Sequence, residues 1–190
     1  MDFIKNRMLP LAASLLLPVT AQASLITNGG FEKGLSGWIC TTQNGACGTE
    51  SLAGPREGDA YWYGFENGSG GMNSQSINTV AGRLYSLELW YGSSSSNDYN
   101  NLSVAIGDFS QAFDIAVGGT ASWTELSTTF MATSAISTLN FDFQTSRNSG
   151  TLWLDDIRIQ SISVPEPATL WLLAGGLLGL GIIRRRKHLT

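Results

Sequence analysis

A two-residue hydrophobic period runs through the middle of the chain and sets the kind of structure it can form. In Arg83 to Ser93, Tyr85, Leu87, Leu89 and Tyr91 share one face, with Ser86 and Glu88 on the other. Ser137 to Gln144 repeats the pattern with Leu139, Phe141 and Phe143 against Asn140, Asp142 and Gln144. Thr124, Leu126, Thr128 and Phe130 follow it more weakly, and Thr151 to Gln160 closes the series with Ile157 and Ile159 on one side. Such alternation gives strands with one buried and one wet face. Gly/Asn/Ser clusters at 67–71, 93–101 and 146–150 separate them as turns. Eight or so strands with no helix between them predict an all-β fold, two antiparallel sheets packed as a sandwich.

Both ends of the chain differ from this middle. Lys5 and Arg7, the apolar run Met8 to Val19 and the small-x-small site Ala21-Gln22-Ala23 have the order of a secretory signal peptide. Residues 1–23 are therefore expected to be removed, leaving residues 24–163 as one domain. At the other end Val164-Pro165-Glu166-Pro167 forms a stiff hinge. Ala168 to Ile183 carry no charge, and Arg184-Arg185-Arg186-Lys187 follow at once. As a helix, 168–183 would rise about 24 Å, short of the roughly 30 Å hydrocarbon core; snorkelling arginines and local thinning close the gap. The basic tail 184–190 stays cytoplasmic by the positive-inside tendency. An ordinary single-pass anchor would look similar. The hinge, apolar helix and basic stop together resemble the PEP-CTERM sorting signal. That resemblance implies export in a Gram-negative bacterium and a brief hold in the inner membrane. It further implies processing by an exosortase toward the cell surface or extracellular matrix.

Between residues 24 and 163 there are five Lys/Arg and thirteen Asp/Glu, a net charge of −8. Such a domain repels nucleic acid and anionic lipid. Its two cysteines, Cys40 and Cys47, flank a six-residue turn and are expected to form a disulfide in an oxidising compartment. A metal site would need further Cys or His partners, and the single histidine, His188, lies behind the apolar segment.

Three segments carry a second resemblance: Asn28-Gly29-Gly30-Phe31-Glu32 with Gly37-Trp38, then Trp123 to Phe130, then Leu152 to Ile159. In this order and spacing they resemble the family 4/9 carbohydrate-binding modules, which are galactose-binding-like jelly rolls. The resemblance implies a jelly-roll sandwich, structural roles for Trp38 and Trp123, and one structural calcium ion. Its ligands would be Glu32 and Asp155, completed by Glu57-Gly58-Asp59 through a side chain or a carbonyl.

The residues themselves say less about chemistry. With no histidine in the middle domain, Ser-His-Asp and Cys-His catalysis are excluded there. No carboxylate pair stands out for glycoside cleavage, so a non-enzyme is expected. Read as an unbroken strand, Leu152 to Ile159 puts Asp155 on the face of Ile157 and Ile159. A carboxylate there is either metal-bound or capped by backbone amides. Trp62, Trp90 and Tyr99 are candidate stacking platforms for sugar rings, although a Trp in a sandwich is more often core. Asn97, Asp142 and Gln144 are their candidate polar partners. The expectation is a non-catalytic, surface-sorted domain that associates with extracellular polysaccharide. The rival is a structural or adhesive matrix protein without specific sugar binding.

Overall fold

The computed structural model describes residues 23–52, 54–66, 70–93, 100–115, 122–145 and 151–162. The leader, the sorting signal, Asn97 and Tyr99 lie outside them. Ten strands run in chain order: β1 (Ile39–Thr41), β2 (Gly45–Glu50), β3 (Tyr61–Glu66), β4 (Gly71–Asn78), β5 (Leu84–Ser93), β6 (Asn100–Ile106), β7 (Phe109–Ile115), β8 (Thr124–Met131), β9 (Ile136–Thr145) and β10 (Leu152–Ser161). They pair antiparallel in two five-stranded sheets: sheet I with order β1-β4-β9-β6-β7 and sheet II with order β2-β3-β10-β5-β8. Among the described residues there is no helix. The sandwich expected from alternation is the fold.

The alternation fills the space between the sheets. Leu102, Val104, Leu139, Phe141 and Phe143 point inward from sheet I. Leu87, Leu89, Leu152, Leu154, Ile157 and Ile159 meet them from sheet II. Each such side chain removed from water contributes roughly 1.5–3 kcal/mol, and together they fix the register, since a one-residue slip would turn every one of them outward. Cys40 on β1 and Cys47 on β2 are joined by a disulfide. Because β1 edges sheet I and β2 edges sheet II, the bond staples the two sheets at one open side.

β10 breaks its own period. The pairing with β5 shifts between Asp155 and Arg158, and Asp156 adopts a left-handed backbone with φ 50°. This bulge inserts one residue and reverses the facing. Leu152 and Leu154 face the core before it, Ile157 and Ile159 after it, so Asp155 does not share their face as an unbroken strand would require. It stands instead on the outer side of sheet II, opposite Trp90, and is nevertheless fully buried.

Candidate functional site

What buries Asp155 is the segment from Gly54 to Ala60, laid over the outer face of sheet II. Asp155 Oδ2 accepts the backbone N–H groups of Arg56 (2.7 Å) and Glu57 (3.2 Å), and its Oδ1 accepts that of Asp156 (2.7 Å). Burial raises its carboxyl, the three amides lower it and the charge of Asp156 raises it, so that it is pushed up to about 6 on balance. Glu32 holds the far end of the same segment, its Oε1 accepting from Asp59 (3.0 Å) and Ala60 (3.1 Å). Gly58 passes so close that a Cβ there would stand 2.1 Å from Glu32 Oε1. The Asn28–Glu32 turn is seated against the bulge. Ile157 donates to Gly29 O at 3.1 Å, and a Cβ on Gly29 would meet the Ile157 carbonyl at 2.0 Å, so only glycine fits.

Under this clamped segment lies a second, aromatic core. Tyr61, Trp123 and Trp153 pack edge to face or tilted, with centroids 5.6 to 5.8 Å apart, an arrangement favoured by their ring quadrupoles. Trp123 donates its indole N–H to Gly54 O at 3.0 Å, and the Tyr61 hydroxyl donates to Glu50 at 2.8 Å. The Arg56 guanidinium stands 4.2 Å from the centre of the Trp90 ring, a cation–π contact that covers one face of the indole. Arg158 ties the lid from the strand side, pairing with Glu57 and with Asp156.

The outer face of sheet I is the opposite case. Facing it from neighbouring strands are Asn101, Asn140, Asp142 and Gln144, with Ser103 and Met72 between them. Register places Met72, Asp142 and Ser103 in one row across β4, β9 and β6, and Gln144 beside Asn101 in the next. Asp142 and Gln144 are exposed, Asn101 and Asn140 half-buried. The Asn101 amide donates to Asp114 on β7 at 3.1 Å. Three amides and a carboxylate on a rigid sheet form a strip of donors and acceptors open to solvent.

Residues 23–150 match the family model of a carbohydrate-binding domain, CBM_4_9. The chain belongs to this family. Residues 163–187 match the PEP-CTERM protein-sorting motif, which indicates export and surface localisation. Among solved structures, the TmCBM61 module in complex with β-1,4-galactotriose is similar at 15% identity and TM-score 0.59, over 73% of this chain and 99% of that one. A family 16 carbohydrate-binding module-2 is similar at 16% identity and TM-score 0.53, over 72% and 99%. The CBM22-1 xylan-binding domain of Paenibacillus barcinonensis Xyn10C is similar at 13% identity and TM-score 0.51, over 76% and 99%. These likenesses show the jelly-roll fold. Other neighbours are larger enzymes, such as a bacteriophage CBA120 tailspike active domain of which the match covers 21%. No curated protein sequence matches.

Within this carbohydrate-binding domain, the residues expected to act together are divided between the two sheets. Trp62 is not a platform: it is fully buried in the main core, packed edge to face on Phe143 with centroids 5.1 Å apart. Tyr61-Trp62-Tyr63 alternates as expected, but the face carrying Trp62 is the one turned toward sheet I. Trp90 is half-buried beneath Arg56 and lies on sheet II, away from Asp142 and Gln144 on sheet I. Trp38 is buried, and Trp123 is packed under the lid, the structural roles expected of both.

Glu32 and Asp155 do meet at one segment, as the resemblance implied, but through its amides. Glu57 directs its carboxylate to Arg158. Among the described residues no three acidic, Cys or His side chains converge as a metal centre. The carboxylate oxygens left over, Glu32 Oε2 and one lone pair of Asp155 Oδ1, fit calcium only if backbone carbonyls complete the shell. Sequence reasoning also missed Glu66, fully buried, whose carboxylate accepts the amides of Gln43 and Asn44 and so shapes the β1–β2 turn. Its place at the end of a strand with four aromatics gives no signal of that role.

Proposed function

We propose that residues 24–163 are an exported, non-catalytic module that holds extracellular polysaccharide across the outer face of sheet I. The observation behind this reading is the open strip of Asn101, Asn140, Asp142 and Gln144, set against a sheet II whose aromatics are consumed by their own lid. Amides offer donors and acceptors together, and a carboxylate accepts a pair of hydroxyls, as the neighbouring hydroxyls of a sugar require. Three strands about 4.8 Å apart, β4, β9 and β6, carry the strip roughly 10 Å across the sheet, and Asn140 to Gln144 extend it roughly 14 Å along β9. That span suits a short oligosaccharide better than a single sugar. Met72 supplies an apolar contact within it. The sheet holds these groups before ligand arrives, which lowers the ordering cost of binding. Tyr99, two residues before Asn101 in the sequence, remains the candidate stacking aromatic of this reading.

In the same reading residues 1–23 are removed on export. The 168–183 helix holds the protein briefly in the inner membrane, and an exosortase processes the 164–190 signal. A calcium ion, added to the clamp through Glu32 and Asp155, would fix the Gly54–Ala60 segment and take no part in sugar contact. Affinity electrophoresis of the full chain through gels containing a panel of polysaccharides tests the reading. At least one polysaccharide should retard the protein. Asp142→Ala combined with Gln144→Ala should abolish the retardation, and Trp90→Ala should leave it. Retardation by none, or by all variants alike, would replace this reading with the structural or adhesive one.

A further inference from the structure

One edge of the sandwich carries exposed apolar side chains that neither the core nor the sugar-facing strip uses. Leu84 and Met131 are direct cross-strand partners on β5 and β8. Ile162 joins them on the other flank of β5, donating its backbone N–H to Leu84 O at 3.0 Å. The three form one row on the outer face of sheet II, beyond the reach of the lid, and are 45%, 43% and 37% exposed. The turns at the same edge add two more. Val80 is 55% exposed and Ile136 60%, and they are brought together where Thr79 donates to Ala135 O at 2.9 Å. Single exposed aliphatics are ordinary, but five gathered at one edge are not.

The edge is also where the chain leaves the domain. Five residues, Ser163 to Pro167, separate Ile162 from the first residue of the uncharged segment Ala168–Ile183. Fully extended, that connection spans at most about 20 Å, of which the headgroup layer takes about 5–8 Å. While the segment sits in a bilayer, this edge is therefore held at the membrane surface at high effective concentration. The domain as a whole is acidic, but the turns of this edge present one cation, Arg83, against one anion, Asp108, so anionic lipid is not repelled here. We propose that the row Ile162–Leu84–Met131, with Val80 and Ile136, rests in the lipid interface while the tail is inserted. The sandwich then stands on the bilayer by this end of its strands, and the sheet I strip is carried away from it, since Asn140, Asp142 and Gln144 lie progressively further along β9 from Ile136. This rests on the membrane hold of the preceding reading. The apolar edge sets the orientation of the module, and release of the tail frees it, since five half-exposed side chains without a tether bind a surface only marginally.

The test uses the full chain in phosphatidylethanolamine/phosphatidylglycerol vesicles. An environment-sensitive dye is attached, after the disulfide has formed, at Met131→Cys or, for comparison, at Glu125→Cys on the far end of β8. The dye at 131 should brighten several-fold and shift to the blue on reconstitution; the dye at 125 should not. Leu84→Ser, Ile136→Ser and Ile162→Ser together, in a chain whose near-ultraviolet dichroism is unchanged, should remove most of that gain. If the protein fails to float with the vesicles, the membrane hold is wrong and this inference falls with it. If it floats while the dye at 131 stays wet, the hold stands and only this inference is overturned. A signal that follows protein density rather than lipid would assign the edge to a second copy of the chain instead.

Discussion

The two outer faces of this sandwich have gone opposite ways. On sheet II, Tyr61, Trp123 and Trp153 are roofed by the Gly54–Ala60 segment, which Glu32 and Asp155 hold by its amides. On sheet I, no such lid lies among the described residues, and Asn101, Asn140, Asp142 and Gln144 face outward. The aromatic face looks more like a sugar platform in the sequence, yet its rings are occupied with one another and with Arg56. Aromatic content marks where apolar area exists, whereas a binding surface also requires that nothing of the chain's own covers it.

The sharpest way to break this contrast is to remove an aromatic that the account places in the core. Trp62→Ala should destabilise the protein by about 3–5 kcal/mol, read as a lower urea midpoint, while the folded fraction keeps its polysaccharide affinity. Weakened binding with unchanged stability would return Trp62 to the surface role first expected of it.

The clamp can be tested through pH. Asp155 titrates near 6 in the folded protein, above the ordinary aspartate value near 3.9. The folded state therefore binds the proton more readily than the unfolded chain. The stability this contributes is complete below about pH 4 and is lost as pH rises through 6, up to about 3 kcal/mol in all. It is read as the difference between wild type and Asp155→Asn in urea melts across that range. Calcium on Glu32 and Asp155 would favour the charged carboxylate and reverse the slope, so the same series with calcium and with chelator decides whether the clamp holds an ion.

A slightly smaller effect is expected at the stapled side. Replacing Cys40 and Cys47 by serine should lower stability by about 2–3 kcal/mol, from the short closed loop, without altering either outer face. At the small end, Asp142→Ala on the open face should change stability by less than about 0.5 kcal/mol, because an exposed side chain on a rigid strand supports nothing else. A large loss there would mean the strip belongs to the fold and not to a ligand.

Much of the fold was legible because half-buried strands write their facing into every second residue. The four segments picked out by alternation are β5, β8, β9 and β10 almost to their ends. Where the reading failed, the period itself held the clue. In Leu152 to Ile159 the apolar positions fall on even numbers at Leu152 and Leu154 and on odd numbers at Ile157 and Ile159. That change of phase is the mark of a bulge, and an unbroken strand placed Asp155 on the wrong side. The family resemblance named Glu32 and Asp155 together as calcium ligands, and the two do meet at one segment, through its amides. The role of that segment was not legible, because a lid formed by backbone amides leaves no side-chain pattern. Trp62 was misjudged and the Arg56 cover over Trp90 was not foreseen for the same reason: alternation separates two faces without saying which of them the rest of the chain will cover.

The claim that sheet I, and not sheet II, is the working surface can be tested directly by nuclear magnetic resonance. Side-chain amide signals of Asn101, Asn140 and Gln144 would be followed while an oligosaccharide from the retained polysaccharide is added. The account predicts that these amides shift and saturate together, while the indole signals of Trp90 and Trp123 and the backbone amides of Arg56 and Glu57 stay in place. Shifts centred on Trp90 and the Gly54–Ala60 segment, with the strip silent, would contradict it.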